Sequence, residues 1–244
     1  MEKIRLDKFL SSQLNISRTD AKKLIKSKAV TVNGDGIAKA EFSVNTACDK
    51  VCVGAKEVSY KKHVYIMLNK PKGVVSASSS ETDVTVVDLV SENLRRSGLF
   101  PAGRLDKDTT GFVLITDDGE FAHNILSPAH HVEKEYEVTL EREVSADEIN
   151  SFAEGINLGD ILLKPASLEF LQLNADRENK PQYSIVITEG RYHQIKRMFA
   201  STGNKVLELN RIRMGALKLD KSLAAGECRE LSDAEVERII QRKI

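Results

Sequence analysis

The chain has 244 residues, with 36 basic and 36 acidic side chains and zero formal net charge. At 41% hydrophobic and 30% charged it can bury a core, which excludes global disorder. No apolar run reaches the roughly 18 residues that cross a bilayer, Met1-Glu2-Lys3-Ile4-Arg5 leads into no signal-type apolar stretch, and three cysteines make no disulfide framework, so an intracellular, cytoplasmic protein with no membrane partner is expected.

The neutral total conceals an asymmetry. Residues 1–63 carry 13 basic side chains against 7 acidic, and residues 64–244 carry 23 against 29. A small basic module on a larger acidic body fits a polyanion partner, and it equally fits lysine-rich helices that are only solvated. Leu6, Phe9, Leu10 and Leu14 recur at helical spacing, with Asp7 near the start. Ser17 stands where an N-cap belongs, with Asp20 three residues on in the manner of a capping box. The second helix has Ala21, Leu24 and Ile25 as its buried stripe, and Arg18, Lys22 and Lys26 at i, i+4 and i+8 opposite, beside Lys23. Like charges at that spacing repel, a cost that an anion would relieve. Val30 and Val32 alternate into Asn33-Gly34, a tight-turn signal. Weakly alternating sequence to about Lys62 completes a small domain with its linker, so boundaries at 1–62 and 63–244 are expected.

From His63 the texture changes. Val64 to Leu68 reads as a strand closed by Asn69-Lys70-Pro71-Lys72-Gly73 and resumed at Val74-Val75. Phe112 to Ile115 is a compact strand ended by Asp117-Asp118-Gly119. Phe121, Ile125 and Leu126 mark a short helix stopped at Pro128. Tyr136, Val138 and Leu140 alternate with Glu135, Glu137 and Thr139 as a half-buried strand, and Ile185 to Ile187 is another. Ile195, Met198 and Phe199 form a helix stripe with Gly203 as the stop. Leu207, Leu209, Arg211 and Arg213 then fall on one face of a further strand. Strands outnumber helices without strict alternation, which predicts α+β architecture with a mainly antiparallel sheet.

Several chemistries find no support. Gly98-x4-Gly103 is followed by Arg104-Leu105 where a phosphate loop needs Lys and Ser/Thr. Gly34-x-Gly36 lacks the third glycine of a dinucleotide or methyl-donor site. Cys48, Cys52 and Cys228 have no zinc spacing, and the adjacent His130 and His131 would point apart on a strand. No Gly-x-Ser-x-Gly elbow occurs. Neither a metal nor a nucleotide cofactor is expected.

Two segments remain. In Ala102 to Gly119, AGRLDKDTTGFVLITDDG, Asp106 lies on a short polar loop ahead of a strand, flanked by Arg104, Lys107 and Asp108. That is a usual address for a catalytic carboxylate, although Asp, Thr and Gly are also what turns are made of. In Glu189 to Phe199, EGRYHQIKRMF, a helix stripe is combined with Arg191, His193, Lys196 and Arg197. Gly190 to Lys218 holds seven basic residues and one acidic, Glu208. A solvated helix would look the same; a Lys196 that approached Asp106 would hold the carboxylate ionised.

These residues resemble a known family. Arg5-Leu6-Asp7-Lys8-Phe9, Ser17-Arg18 with Ala21, and Val30-x-Val32-Asn33-Gly34 resemble an S4 domain, a small RNA-binding module. GRLDKDTTGFVLITDDG is similar to the signature of the ribosomal-RNA pseudouridine synthases, with LNKPKG before it, EKEYEV after it and GRYHQIKRMF near the end following the family order. Together these motifs span nearly the whole chain. Tyr-His-Gln-Ile-Lys-Arg-Met and LSPAHHVEKEYEVTL are most similar to the branch that modifies one uridine of 16S ribosomal RNA, U516 in the standard numbering.

The resemblance implies isomerisation of uridine in place: the N-glycosidic bond breaks, the uracil turns, and C5 rejoins the ribose, with no cofactor. It implies that Asp106 is the catalytic carboxylate, that Lys196 pairs with it, that Tyr136 stacks on the uracil, and that Arg104 fills the gap left by a flipped base. Leu209 would line the base pocket, and His193 and Arg197 would bind substrate. Arg5, Lys8, Arg18, Lys22, Lys23 and Lys26 would contact phosphates. The implied partner is 16S ribosomal RNA or a small-subunit assembly intermediate, met by a monomer. The alternatives are a 23S ribosomal RNA target, or an RNA-binding assembly factor that no longer catalyses.

Overall fold

A computed structural model describes residues 3–127, 132–159, 161–174 and 178–241. Pro128, assigned above as a helix stop, and His130-His131 lie outside the described residues. The chain forms two compact units, one of Met1–Val64 with Arg95–Leu99 and one of Tyr65–Leu94 with Phe100–Ile244.

In the first unit β1 (Lys3–Arg5) runs into α1 (Leu6–Gln13) and α2 (Arg18–Lys26), followed by β2 (Val30–Val32), β3 (Asp35–Gly36), β4 (Ser43–Asn45), β5 (Val51–Val53) and β6 (Lys56–Glu57). Leu6, Phe9, Leu10, Ala21 and Ile25 interlock with Val30, Val32, Val44 and Val51 in one core. Ser17 caps α2 by accepting from the Asp20 backbone N–H at 3.1 Å. The expected capping box is only half formed, because Asp20 turns its carboxylate to the Ser17 hydroxyl, at 2.7 Å, rather than to the backbone. Asn33 and Gly34 both take positive φ, 55° and 92°, the two-residue hairpin whose twist matches that of its flanking strands.

The second unit is α+β. It contains β7 (Tyr65–Lys70), β8 (Phe100–Pro101), β9 (Thr110–Thr116), α3 (Gly119–Leu126), β10 (Lys134–Leu140), α4 (Ala146–Glu154), β11 (Ser167–Asn174), β12 (Lys180–Ile187), α5 (Gln194–Ser201), β13 (Val206–Met214), β14 (Leu217–Lys218), β15 (Cys228–Glu230) and α6 (Asp233–Ile240). The sheet runs β11-β12-β10-β13-β9-β7-β15, with β8 beside β9 and β14 beside β13. Its described pairings are antiparallel except for the short parallel step between β9 and β13. Phe112 to Thr116 are buried without alternation, as a strand covered on both faces requires. Phe112 and Leu114 pack with Ala122 and Ile125 of α3 and with Val236 and Ile239 of α6. Leu126, expected in the α3 stripe, is instead 41% exposed. Val74-Val75 does not resume the strand either: Val75 forms one isolated bridge to Thr85.

The largest departure concerns β13. Arg211 lies opposite Tyr136, yet Arg213 lies opposite Glu135, one residue away on β10 instead of two. The register slips again so that Val206 meets Leu140 while Glu208 meets Thr139. One extra residue reverses which face the following side chains occupy. Leu207, Leu209, Arg211 and Arg213 therefore do not share a face, and Leu207 is 37% exposed.

Candidate active site

The loop between β8 and β9 carries Asp106, and its main chain is clamped from the segment after β7. Ser76 Oγ accepts from the Leu105 N–H and donates to the Leu105 carbonyl, both at 3.0 Å. The Gly73 N–H donates to the Lys107 carbonyl at 2.8 Å. Lys70, fully buried, directs Nζ at the carbonyls of Thr109 (2.7 Å), Pro71 (3.1 Å) and Lys107 (3.3 Å). Buried cations are tolerated when such oxygens surround them.

Burial nevertheless pushes the Lys70 ammonium down to about 8, against the pull of the Asp108 and Asp106 charges. Lys134 falls to about 8 as well, through burial and the nearby Arg211 charge. From about 8 to the ordinary value of 10.5 the unfolded chain binds more protons than the folded one, so stability rises with pH across that window. Below about pH 8 the cost of the buried charge is felt in full. Urea midpoints are expected to climb between pH 8 and 10, and less steeply in Lys134→Met. An identical slope in the variant would refute the assignment.

Opposite the loop stands α5, whose Phe199 ring lies 4.8 Å from that of Phe152 in α4. The turn before α5 is built on Glu189 and Gln194, both buried. Glu189 accepts from Gln194 Nε2 at 3.1 Å and from Arg191 Nε at 3.2 Å, and Gln194 Oε1 accepts from the Arg191 N–H at 3.0 Å. His193 follows in the left-handed region, at φ 48°, a conformation that non-glycine residues hold only when their surroundings impose it.

The arrangement brings Lys196 Nζ to 3.2 Å from Asp106 Oδ2 and His193 Nε2 to 3.5 Å from Oδ1. Lys196 also donates to Asp108 at 2.6 Å. Burial opposes the Lys196 charge, but hydrogen bonds to Asp108 and Asp106 outweigh it and raise its pKa. The same lysine lowers the Asp108 pKa. Lys196 is therefore shared between two carboxylates, an arrangement that a pairing with Asp106 alone did not foresee.

A cavity of about 670 Å³ opens beside Asp106, large enough for a nucleoside. Tyr136 and Leu209 line it, as do Arg104, His193 and Lys196. Tyr136 is 6% exposed, with the Arg211 guanidinium carbon 6.0 Å from its ring centre. Arg104 is exposed at the cavity and has no bonded partner among the described residues. Arg197 does not line the cavity: it lies about 100° further round α5 than Lys196.

In the first unit Arg18, Lys22, Lys23 and Lys26 are exposed along α2, and Lys8 is exposed on α1. Lys23 is paired with Asp20 at 3.0 Å. Arg5 is engaged by Asp7 at 2.9 Å and Glu41 at 3.2 Å, so it already has counter-ions.

Sequence reasoning missed Ser76, Glu189, Gln194, Lys134 and Arg211. Lys134 sits inside the EKEYEV motif and Arg211 in the basic stretch after GRYHQIKRMF; a lysine or arginine at an inward strand position was the available signal. Ser76 gave none, since its partner is a backbone 29 residues away.

A lone cavity carboxylate held by a lysine, sharing its cavity with a buried tyrosine and several cations, can receive an aromatic ring carried on an anionic ligand. The comparisons agree with that class. Residues 64–201 match the model described as RNA pseudouridylate synthase, and residues 4–51 match the S4 domain. The chain is 44% identical to ribosomal small subunit pseudouridine synthase A of Salmonella typhimurium (strain LT2), over 96% of this chain and 98% of that protein. It is 42% identical to the protein of that name from Escherichia coli (strain K12), over 97% and 100%. A Bacillus subtilis (strain 168) protein described as an uncharacterized RNA pseudouridine synthase is also 42% identical, over 96% and 97%. A crystal structure of a pseudouridylate synthase superposes with a TM-score of 0.65 at 39% identity, covering 97% of this chain and 99% of that one. The chain belongs to the RNA pseudouridylate synthase family and carries an S4 domain at its N-terminal end. It is an enzyme of that class.

Proposed function

We propose that the protein converts one uridine of 16S ribosomal RNA, U516 in the standard numbering, to pseudouridine, with Asp106 as the essential carboxylate. The observation that carries this reading is Asp106 on a cavity wall, 3.2 Å from Lys196 and sharing the cavity with Tyr136. The names of the relatives from Salmonella and Escherichia support the small-subunit target.

The target nucleotide leaves its stack and enters the cavity, a step that costs a few kcal/mol offset by pocket contacts. Tyr136 offers a ring face to the uracil and Leu209 an apolar wall, while Arg104, exposed and unengaged, occupies the vacated stack. Lys196 keeps the Asp106 carboxylate beside the ribose as the N-glycosidic bond breaks and positive charge develops at C1′. His193 supports the same carboxylate from its other oxygen. The residues 1–62 form the RNA-binding domain, and residues 63–244 the catalytic one.

The direct test is tritium release from 16S ribosomal RNA carrying 5-tritiated uridine, because C5 loses its hydrogen as it becomes the glycosidic carbon. One release per RNA, mapped to U516, is the expected result. Release from 23S RNA alone would replace the target; release from neither would overturn the reading.

On this reading Lys8, Arg18, Lys22 and Lys26 supply phosphate contacts, and Arg5 and Lys23 do so less, because carboxylates already neutralise them. The triple replacement of Lys22, Lys23 and Lys26 by Ala is expected to weaken RNA binding and to reduce the salt slope by about 2, at roughly 0.7–0.9 per lost phosphate contact. Filter binding across a potassium chloride series measures it; an unchanged slope would remove α2 from the interface.

A further inference from the structure

Three buried basic side chains of the second unit, besides Lys70, differ sharply in what surrounds them. Arg213, 2% exposed, is held by Glu133 at 2.9 Å, by Glu135 and by the Gly215 carbonyl. Arg211, two residues earlier and equally buried, has no carboxylate partner among the described residues. Its Nε donates to the Phe112 carbonyl at 2.7 Å, and its Nη2 has no hydrogen-bond partner among the described residues. Lys134, 6% exposed, has one oxygen partner among the described residues, the Val132 carbonyl at 3.0 Å. Both line the Asp106 cavity. The register slip in β13 is what separates the two arginines, sending Arg213 to the face of Glu135 and Arg211 to that of Tyr136.

Burying two neighbouring like charges without a counter-ion is costly, and the cost falls on Lys134 as a depressed pKa. A site of this kind is completed by an anion. Two sources reach the cavity: the phosphates of the RNA and the pyrimidine itself. Phosphates stay on the strand, where the exposed Arg104 can meet them, whereas the deeply buried pair is in reach of a base inserted into the cavity.

We propose that Lys134 and Arg211 form an oxyanion site for the uracil ring, which stabilises the negative charge that the base carries while detached from the ribose. The inference rests on the reading that Asp106 and its cavity isomerise uridine. When the N1–C1′ bond breaks, the bonding pair stays with N1, and the ring becomes an anion whose charge is shared with O2 and O4. C1′ becomes electron-deficient and faces the Asp106 carboxylate. When C5 bonds to C1′, the C5 proton is released and N1 takes one up, so no net atom is gained or lost. The ring is anionic only between these events, and donors placed at its oxygens in a dry cavity therefore act on the barrier rather than on binding.

The test measures single-turnover rates at saturating enzyme on two RNAs, 16S transcripts carrying either 5-tritiated uridine or 5-fluorouridine. Tritium release is read for the first; in the second C5 carries fluorine and has no proton to lose, so the C5–C1′ product keeps its fluorine, adds water across C6–N1, and is read by that gain in mass in the digest. Fluorine at C5 stabilises the ring anion by itself. Lys134→Met and Arg211→Met are each expected to slow uridine RNA by about 10²-fold or more, the usual effect of losing one oxyanion donor. The defect should shrink at least about threefold on fluorouridine RNA, with the dissociation constant for RNA held within about threefold. A loss of affinity with an intact saturated rate would assign the pair to a phosphate and overturn the proposal, as would an equal defect on both RNAs. Should the Met variants fail to fold, Lys134→Arg and Arg211→Lys carry the same comparison, since they keep the charge and displace it. Wild-type protein that releases no tritium from 16S or 23S RNA would sink the underlying reading instead, an outcome distinct from these.

Discussion

Asp106→Asn is expected to lower turnover by about 10⁴-fold or more while leaving RNA affinity within about threefold, as befits removal of an essential ionised group. The expectation is strong because Asp106 is the sole carboxylate among the described residues that line the cavity. Asp108, two residues along the same loop, cannot stand in. Its side chain is 70% exposed and pairs with Lys196 from outside the cavity. Asp108→Asn should therefore cost less than about 10-fold, acting only through the lysine that the two acids share. Tritium release under single-turnover conditions, with filter binding in parallel, separates chemistry from association. An Asp106→Asn protein that kept more than about one hundredth of the wild-type rate would remove Asp106 from its role.

A large loss of stability is expected at Gly111. It takes φ 98°, and a Cβ there would run into the Arg211 carbonyl and the Asn210 side chain, where β9 and β13 make their short parallel step. Neither obstacle is a flexible tip that can swing aside, because Asn210 Oδ1 also accepts from Thr110 Oγ1 at 3.0 Å. Gly111→Ala combines an unfavourable φ with overpacking against backbone, which together cost about 3 kcal/mol or more. In urea that corresponds to a midpoint lowered by roughly 1 M or more. Any folded fraction should also react slowly, since the strands forced apart carry Arg211 and lead out of the Asp106 loop. A midpoint within about 0.3 M of wild type would show that the crossing yields more easily than its geometry implies.

Much of the fold was legible where local chemistry decides it. Ser17, Asn33-Gly34 and the stripes at Phe9, Ile25 and Phe199 announce their elements because cap, turn and helical period act within a few residues. The family motifs likewise placed Asp106, Tyr136, Lys196 and Leu209, and the structure brings these four side chains to one cavity. What stayed hidden depends on pairing between distant strands. Alternation alone put Arg211 and Arg213 on one face, but a register slip separates them, and no residue of β13 signals the slip by itself. Arg5 is engaged by Asp7, two residues on, and by Glu41, 36 positions away; only the second partner is hidden from the local sequence. Arg197, a substrate contact that the resemblance implies, follows Lys196 on α5 and does not line the cavity.

The clamps on the Asp106 loop have a consequence for how such an enzyme can change. Lys70, Gly73 and Ser76 all grip carbonyls or N–H groups of the loop, never its side chains. Every residue type except proline supplies the same main-chain groups. Arg104, whose side chain has no partner among the described residues, can thus be exchanged without loosening the scaffold that presents the carboxylate, whereas Lys107 also ties the loop to Asp83 at 2.6 Å. Drift in RNA preference and preservation of chemistry are uncoupled within one short stretch of chain, so a lineage can explore new targets from a working catalyst.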